Sequence, residues 1–167
     1  MVSGILQYLW LVPALPLLGV IVNGAIALFV ERPLLLGAGA HGEHGHGGDS
    51  HGGHPAEPAY RKLVSFVGPA VVGAAFVVSA LSVLALAARP PAERLFVREI
   101  FPWIQAGGFS APAAFQLDPL SSVMILVVTG VGFLIHVYSA GYMSHEKAFA
   151  RYFVYLNLFT FAMLLLV

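Results

Sequence analysis

Of the 167 residues, 59% are hydrophobic and 10% charged, and eight basic side chains balance eight acidic ones to a formal net charge of zero. With a mean hydropathy of +0.86 the chain lies well beyond soluble domains, and the bilayer is its expected solvent. Neutrality excludes a nucleic-acid footprint. The absence of cysteine excludes disulfides, thiolate metal sites, iron–sulfur ligation and cysteine nucleophiles.

The first element is an uncharged run from Ile5 to Val30, closed by Glu31-Arg32-Pro33. At ~1.5 Å per residue it crosses a hydrocarbon core of ~30 Å, with Pro13 and Pro16 as candidate kinks. No Lys or Arg precedes it, so it reads as a retained helix and not as a signal peptide. A glycine-rich loop follows, holding His41, His44, His46, His51 and His54 beside Glu43 and Asp49. These imidazoles are weak metal candidates: ordering so much glycine into a tetrahedral set is entropically costly, and a water-exposed linker is the plainer expectation.

The second span is expected over Leu63 to Ala88, bracketed by Arg61-Lys62 and Arg89, with Gly68, Gly73, Ala74, Ala75 and Ser79 offering small surfaces for close helix packing. From Arg89 to Leu117 the sequence mixes charge with Phe101, Trp103, Phe109 and Phe115 around Gly107-Gly108. That pattern predicts a short hairpin turning at the glycines, its aromatic residues at headgroup level. Pro102 and Pro112 keep an irregular interfacial loop as the alternative.

Asp118-Pro119 opens the third span, which runs to about Gly141, with aspartate as N-cap and proline at the first helical position. Apart from tyrosine phenols, His136 is the only ionisable group inside the spans. It shares a helical face with Ile125, Thr129 and Gly132, a small and partly polar stripe suited to another helix. Such a histidine is either a hydrogen-bonding residue between helices or a proton relay. Tyr138, Tyr142 and Tyr152 fit an aromatic belt. The fourth apolar run, Tyr152 to Val167, is short for a crossing, so the expectation is three full spans and the start of a fourth in a longer protein.

The expected fold is therefore all-α, a polytopic transmembrane helix bundle with a short extramembrane β-hairpin-like loop. Residues 1–62 form the first helix and histidine loop, 63–99 the second helix and the start of the outer loop, and 100–167 the remainder. Arg32, Arg61, Lys62, Lys147 and Arg151 fall on one side of the membrane, against Arg89, Arg94 and Arg98 on the other. The positive-inside rule places the histidine loop in the cytoplasm and the N-terminus and hairpin outside.

The segments LDPLS (Leu117 to Ser121), VTGVGFLIHVYS (Val128 to Ser139), GYM (Gly141 to Met143) and RYFVYLNLFTFAMLLLV (Arg151 to Val167) stand in a recognisable order. Over this last two-fifths the chain resembles the N-terminal part of subunit L of bacterial NADH-quinone oxidoreductase, the respiratory complex I relative of mitochondrial subunit 5. The resemblance implies a multi-pass subunit of the bacterial inner membrane that helps translocate protons beside other membrane subunits of complex I. It implies no cofactor in this chain, with NADH, FMN, iron–sulfur clusters and quinone handled by partner subunits. No catalytic residue is carried over; Asp118, His136, Tyr142 and Arg151 are motif positions. Multisubunit cation/proton antiporters and membrane-bound hydrogenases have similar helices and form the alternative. A metal transporter is a third reading, but it needs facing ligands within the membrane, where the spans offer no Asp, Glu or second His.

Overall fold

A computed structural model of the chain describes residues 4, 6–31, 59–143 and 148–167; the five loop histidines lie outside them. Four helices have the length and composition of membrane spans, over Leu6–Val30, Tyr60–Ala87, Pro119–Tyr142 and Phe149–Leu166. Helix α1 is Leu11–Ile26, preceded by a 3-10 turn at Leu6–Tyr8 and extended by a π-helical turn at Ala27–Glu31. Pro13 sits in its first turn, where a missing N–H costs nothing, and the Leu9 carbonyl takes the Val12 N–H at 3.1 Å instead. Helix α2 (Ala59–Ala87) carries Pro69 in its interior. Helix α3 is Pro119–Tyr142 and α4 is Phe149–Leu166. The fourth helix thus starts three residues before the expected Tyr152, and its 18 residues reach ~27 Å, a spanning length.

Helix α1 packs along both α2 and α4, and α2 along α3, whereas α3 and α4 touch sparingly. Two apolar clusters mark the ends of the bundle. Leu6, Leu9, Val12, Ala85, Leu86, Leu117, Ile125 and Leu164 close one end; Ala27, Val64, Phe149, Ala150 and Phe153 close the other. Large apolar side chains such as Phe66, Leu84, Leu120 and Leu134 point outward, while Asn23, Ser79, Ser82, Thr129, His136 and Asn157 are completely buried. A lipid solvent explains this inversion: it rewards polar groups that find one another inside the bundle and leaves apolar groups indifferent to exposure.

Glycines set the helix spacing. A methyl at Gly73 of α2 would lie 2.9 Å from the Phe133 ring of α3, and one at Gly130 of α3 would lie 3.0 Å from the Phe76 ring of α2. The two helices therefore exchange rings across one seam. Gly68 accepts the Phe153 ring of α4 more tightly still, at 2.4 Å from the same hypothetical methyl. Two of the small residues picked out in α2 thus do what their size suggests.

The hairpin forms as expected. Strand β1 (Phe96–Ala106) pairs antiparallel with β2 (Phe109–Leu117), turning at Gly107, whose φ of 59° suits glycine. Pro102 stands opposite Pro112, and register shifts flank that pair between Glu99 and Phe101 and between Pro102 and Ile104. Placing the two donor-less residues together confines the damage to one rung, which is why two prolines do not abolish the strands. Arg98 donates to the Gln7 carbonyl, tying the hairpin to the chain's N-terminal end. Arg94 donates to the Ala87 and Arg89 carbonyls at 3.2 and 3.1 Å, satisfying the end of α2.

Candidate functional site

Asp118 is the residue between β2 and α3. Its carboxylate accepts the Ser121 N–H at 2.6 Å, and the Ser121 hydroxyl accepts the Asp118 N–H at 2.9 Å, a reciprocal capping box. The Ser121 backbone hydrogen bond, the largest cause, holds the Asp118 carboxyl below its ordinary range. Asp118 is thus an anchor for the helix start.

One turn-by-turn stripe of α3 faces inward: Ser122, Ile125, Thr129, His136 and Ser139 are its buried residues. This is the face expected from the spacing of Ile125, Thr129, Gly132 and His136. Two of its hydroxyls look to their own helix, Ser122 to the Asp118 carbonyl at 2.6 Å and Thr129 to the Ile125 carbonyl at 2.5 Å. In α2, Ser79 does the same to Ala75 at 2.8 Å, and in α4 Thr160 bonds Leu156 at 3.0 Å. These groups are satisfied locally and ask nothing of neighbouring helices.

His136 differs. Its Nδ1 lies 2.7 Å from the Gly132 carbonyl, so Nδ1 carries the proton and, in the neutral ring, Nε2 is left as an acceptor. The ring tilts at 53° over Phe153 with centroids 6.1 Å apart, and Asn157 follows Phe153 by one turn of α4. Asn157 donates through Nδ2 to the Phe153 carbonyl at 2.9 Å. Four side chains retain buried polar atoms with no partner among the described residues: His136 at Nε2, Asn157 at Oδ1, Asn23 at both amide atoms and Ser82 at Oγ. Closer to the α3 terminus, the Ser139 hydroxyl and Tyr152 phenol meet at 3.0 Å, joining α3 to α4. A groove of about 220 Å³ runs between α3 and α4, with His136 and Thr160 as polar groups among lining residues that include Val128, Gly132, Leu156 and Met163.

The motif positions therefore separate. His136 belongs to the buried polar region, and Asp118 caps at the other end of α3. Tyr142 is exposed and stacks on Tyr138 at 5.7 Å and 17°; Arg151 is exposed on the first turn of α4. Sequence reading missed Asn157 as a site residue, and gave Asn23 no role. A carboxamide inside an uncharged span is the signal that would have found both, by the same reasoning that singled out His136. Among the described residues no group of His, Cys, Asp or Glu is placed to hold a metal ion.

Residues 103–153 match the family model described as NADH-ubiquinone oxidoreductase (complex I), chain 5 N-terminus. Over these residues the chain is similar to the N-terminus of complex I chain 5. The chain 5 match runs from Trp103 in β1 through the capping box and all of α3 to Phe153 in α4, so it contains His136 but neither Asn23 nor Asn157. Similarity to individual relatives extends further. NADH-quinone oxidoreductase subunit L of Mycobacterium tuberculosis is 37% identical over 161 residues, covering 96% of this chain and 21% of the relative. Subunit L of Pseudomonas aeruginosa is 39% identical over 105 residues, or 63% and 17% of the two chains. The chloroplastic NAD(P)H-quinone oxidoreductase subunit 5 of Chlorokybus atmophyticus is 31% identical over 164 residues, or 98% and 21%. The chain spans about a fifth of the length of the curated relatives it matches.

Proposed function

We propose that the chain is the N-terminal part of the proton-translocating, antiporter-like membrane subunit of an NADH-quinone oxidoreductase. NADH oxidation and quinone reduction, with their FMN and iron–sulfur clusters, belong on this reading to partner subunits, and the bacterial inner membrane is its location. The observation that carries it is the 37% identity to a subunit L over 161 residues, supported by four helices of spanning length. Within this framework residues 100–167 belong to the antiporter-like region, and residues 1–62 and 63–99 contribute the two helices before it. The bundle's own task is to frame and seal the start of that unit.

The experiment is deletion of the gene encoding the full subunit, followed by assays on membrane vesicles. NADH-driven acidification should be lost and NADH oxidation by an artificial acceptor retained; both activities should return with the intact gene. Unchanged acidification with loss of sodium/proton exchange would assign the chain to a cation/proton antiporter instead. Orientation is part of the same reading: N-terminus and hairpin outside, histidine loop and the loop between α3 and α4 inside. Arg98 bonding to Gln7 supports placing the first two together. Gly108→Cys should label from the periplasm and Gly47→Cys should not.

A further inference from the structure

The buried faces of His136 and Asn157 pose a specific hydrogen-bonding problem. Nδ1 of His136 is turned back onto its own helix at Gly132, which directs Nε2 away from α3 and into the bundle. Asn157 has its amide nitrogen committed to the Phe153 carbonyl, leaving Oδ1 as its uncommitted atom. Asn157 stands one turn along α4 from Phe153, whose ring touches the imidazole, and Nε2 and Oδ1 each lack a partner among the described residues. For a neutral ring both are acceptors, and two acceptors cannot bond each other.

A third helix reaches the same place. A methyl at Gly19 of α1 would sit 2.9 Å from Asn157 Oδ1, and Asn23 lies one turn further along the same face of α1. Asn23 is fully buried, with donor and acceptor both unpartnered. A single water molecule resolves the conflict. Its two O–H groups donate to His136 Nε2 and Asn157 Oδ1, two of the roughly 2–4 bonds typical of buried water.

We propose that His136 and Asn157 form a water-binding node between α3 and α4, beside Gly19 of α1. It lies ~9 Å inward from the α3 terminus at Tyr142, counted at 1.5 Å per residue. The next polar layer toward that terminus is the Ser139–Tyr152 pair. The node places one exchangeable, neutral hydrogen-bond donor inside hydrocarbon and fastens α3 to α4.

The test is a cryo-EM map of the intact membrane protein that carries this chain, resolved finely enough to show ordered water. The expected result is a solvent peak within about 3 Å of both His136 Nε2 and Asn157 Oδ1, lost in Asn157→Leu with the helices unmoved. Direct contact between ring and amide with no peak between them would overturn the proposal, because it would mean a protonated imidazole or a turned amide. A dry gap there would overturn it equally. Should Asn157→Leu fail to assemble, the wild-type map decides alone.

Discussion

The α2–α3 seam and the α1–α3–α4 junction use opposite means to hold helices together. Across the seam, Phe76 and Phe133 each fill the space over a glycine of the opposite helix, so cohesion comes from dispersion at short range. At the junction His136 and Asn157, with Asn23 one turn along α1 from Gly19, carry buried polar atoms without partners among the described residues. Lipid tails are as apolar as the rings, so the seam gains nothing from the hydrophobic effect and depends on shape. The junction depends on completed hydrogen bonds and tolerates imperfect shape. One bundle therefore holds a sterically defined half and a chemically defined half.

The most disruptive way to test this contrast is to insert bulk where a ring already sits. Gly68→Val should cost about 3 kcal/mol through overpacking, because even its Cβ would lie 2.4 Å from Phe153. Thermal unfolding in detergent reads the loss, and Gly68→Val combined with Phe153→Ala should recover part of it. No recovery would show that the ring is not what Gly68 accommodates. Next in size are Gly73→Ala and Gly130→Ala, each expected to cost about 1–2 kcal/mol. Their costs should fail to add in the double variant, since both move the same two helices apart; simple additivity would argue against one continuous seam.

Polar deletions should be milder where a hydroxyl serves only its own helix. Thr129→Val removes a bond to the Ile125 carbonyl, and a shift of about 0.6 kcal/mol is typical for polar groups within membranes; a loss several-fold larger would mean that Thr129 bonds across helices. The effect of acid should be local to the start of α3. The folded-state pKa of Asp118 lies below its ordinary 3.8, so its contribution is fully present above the unfolded value and declines as pH falls through the folded one. The protection factor of the Ser121 amide, exchange corrected for its intrinsic pH dependence, should therefore be constant at neutral pH and fall only below about pH 4. In Asp118→Asn that acid dependence should vanish. The smallest effect is expected at Gly132→Ala, where the added methyl meets nothing closer than 3.7 Å. Stability should be unchanged or slightly higher, by up to about 1 kcal/mol from helix propensity, and clear destabilisation would place Gly132 in the tight seam after all.

Much of this architecture was legible because charge and periodicity are local properties. The spans, the capping Asp118, the hairpin turn at Gly107-Gly108 and the inward face bearing His136 all follow from neighbours in sequence. Helix starts were less legible for an instructive reason. Arg61, Lys62 and Arg151 were read as lying outside the helices, yet α2 begins at Ala59 and α4 at Phe149. A long basic side chain can sit on a helical turn and carry its charge to the interface, so charge marks the membrane boundary rather than the helix boundary. Pro102 and Pro112 misled in the same local way, since only pairing shows that they oppose each other. The junction was hidden more deeply. Nothing in a single helix reveals that Asn157 faces His136, or that Gly19 admits it.

The hairpin has a mechanical consequence. Only Asp118 separates β2, ending at Leu117, from α3, beginning at Pro119, and that residue is locked by two reciprocal hydrogen bonds to Ser121. A proline on one side and a capping box across the joint leave almost no torsional slack. The hairpin and α3 consequently act as one rigid lever whose long arm lies in the membrane.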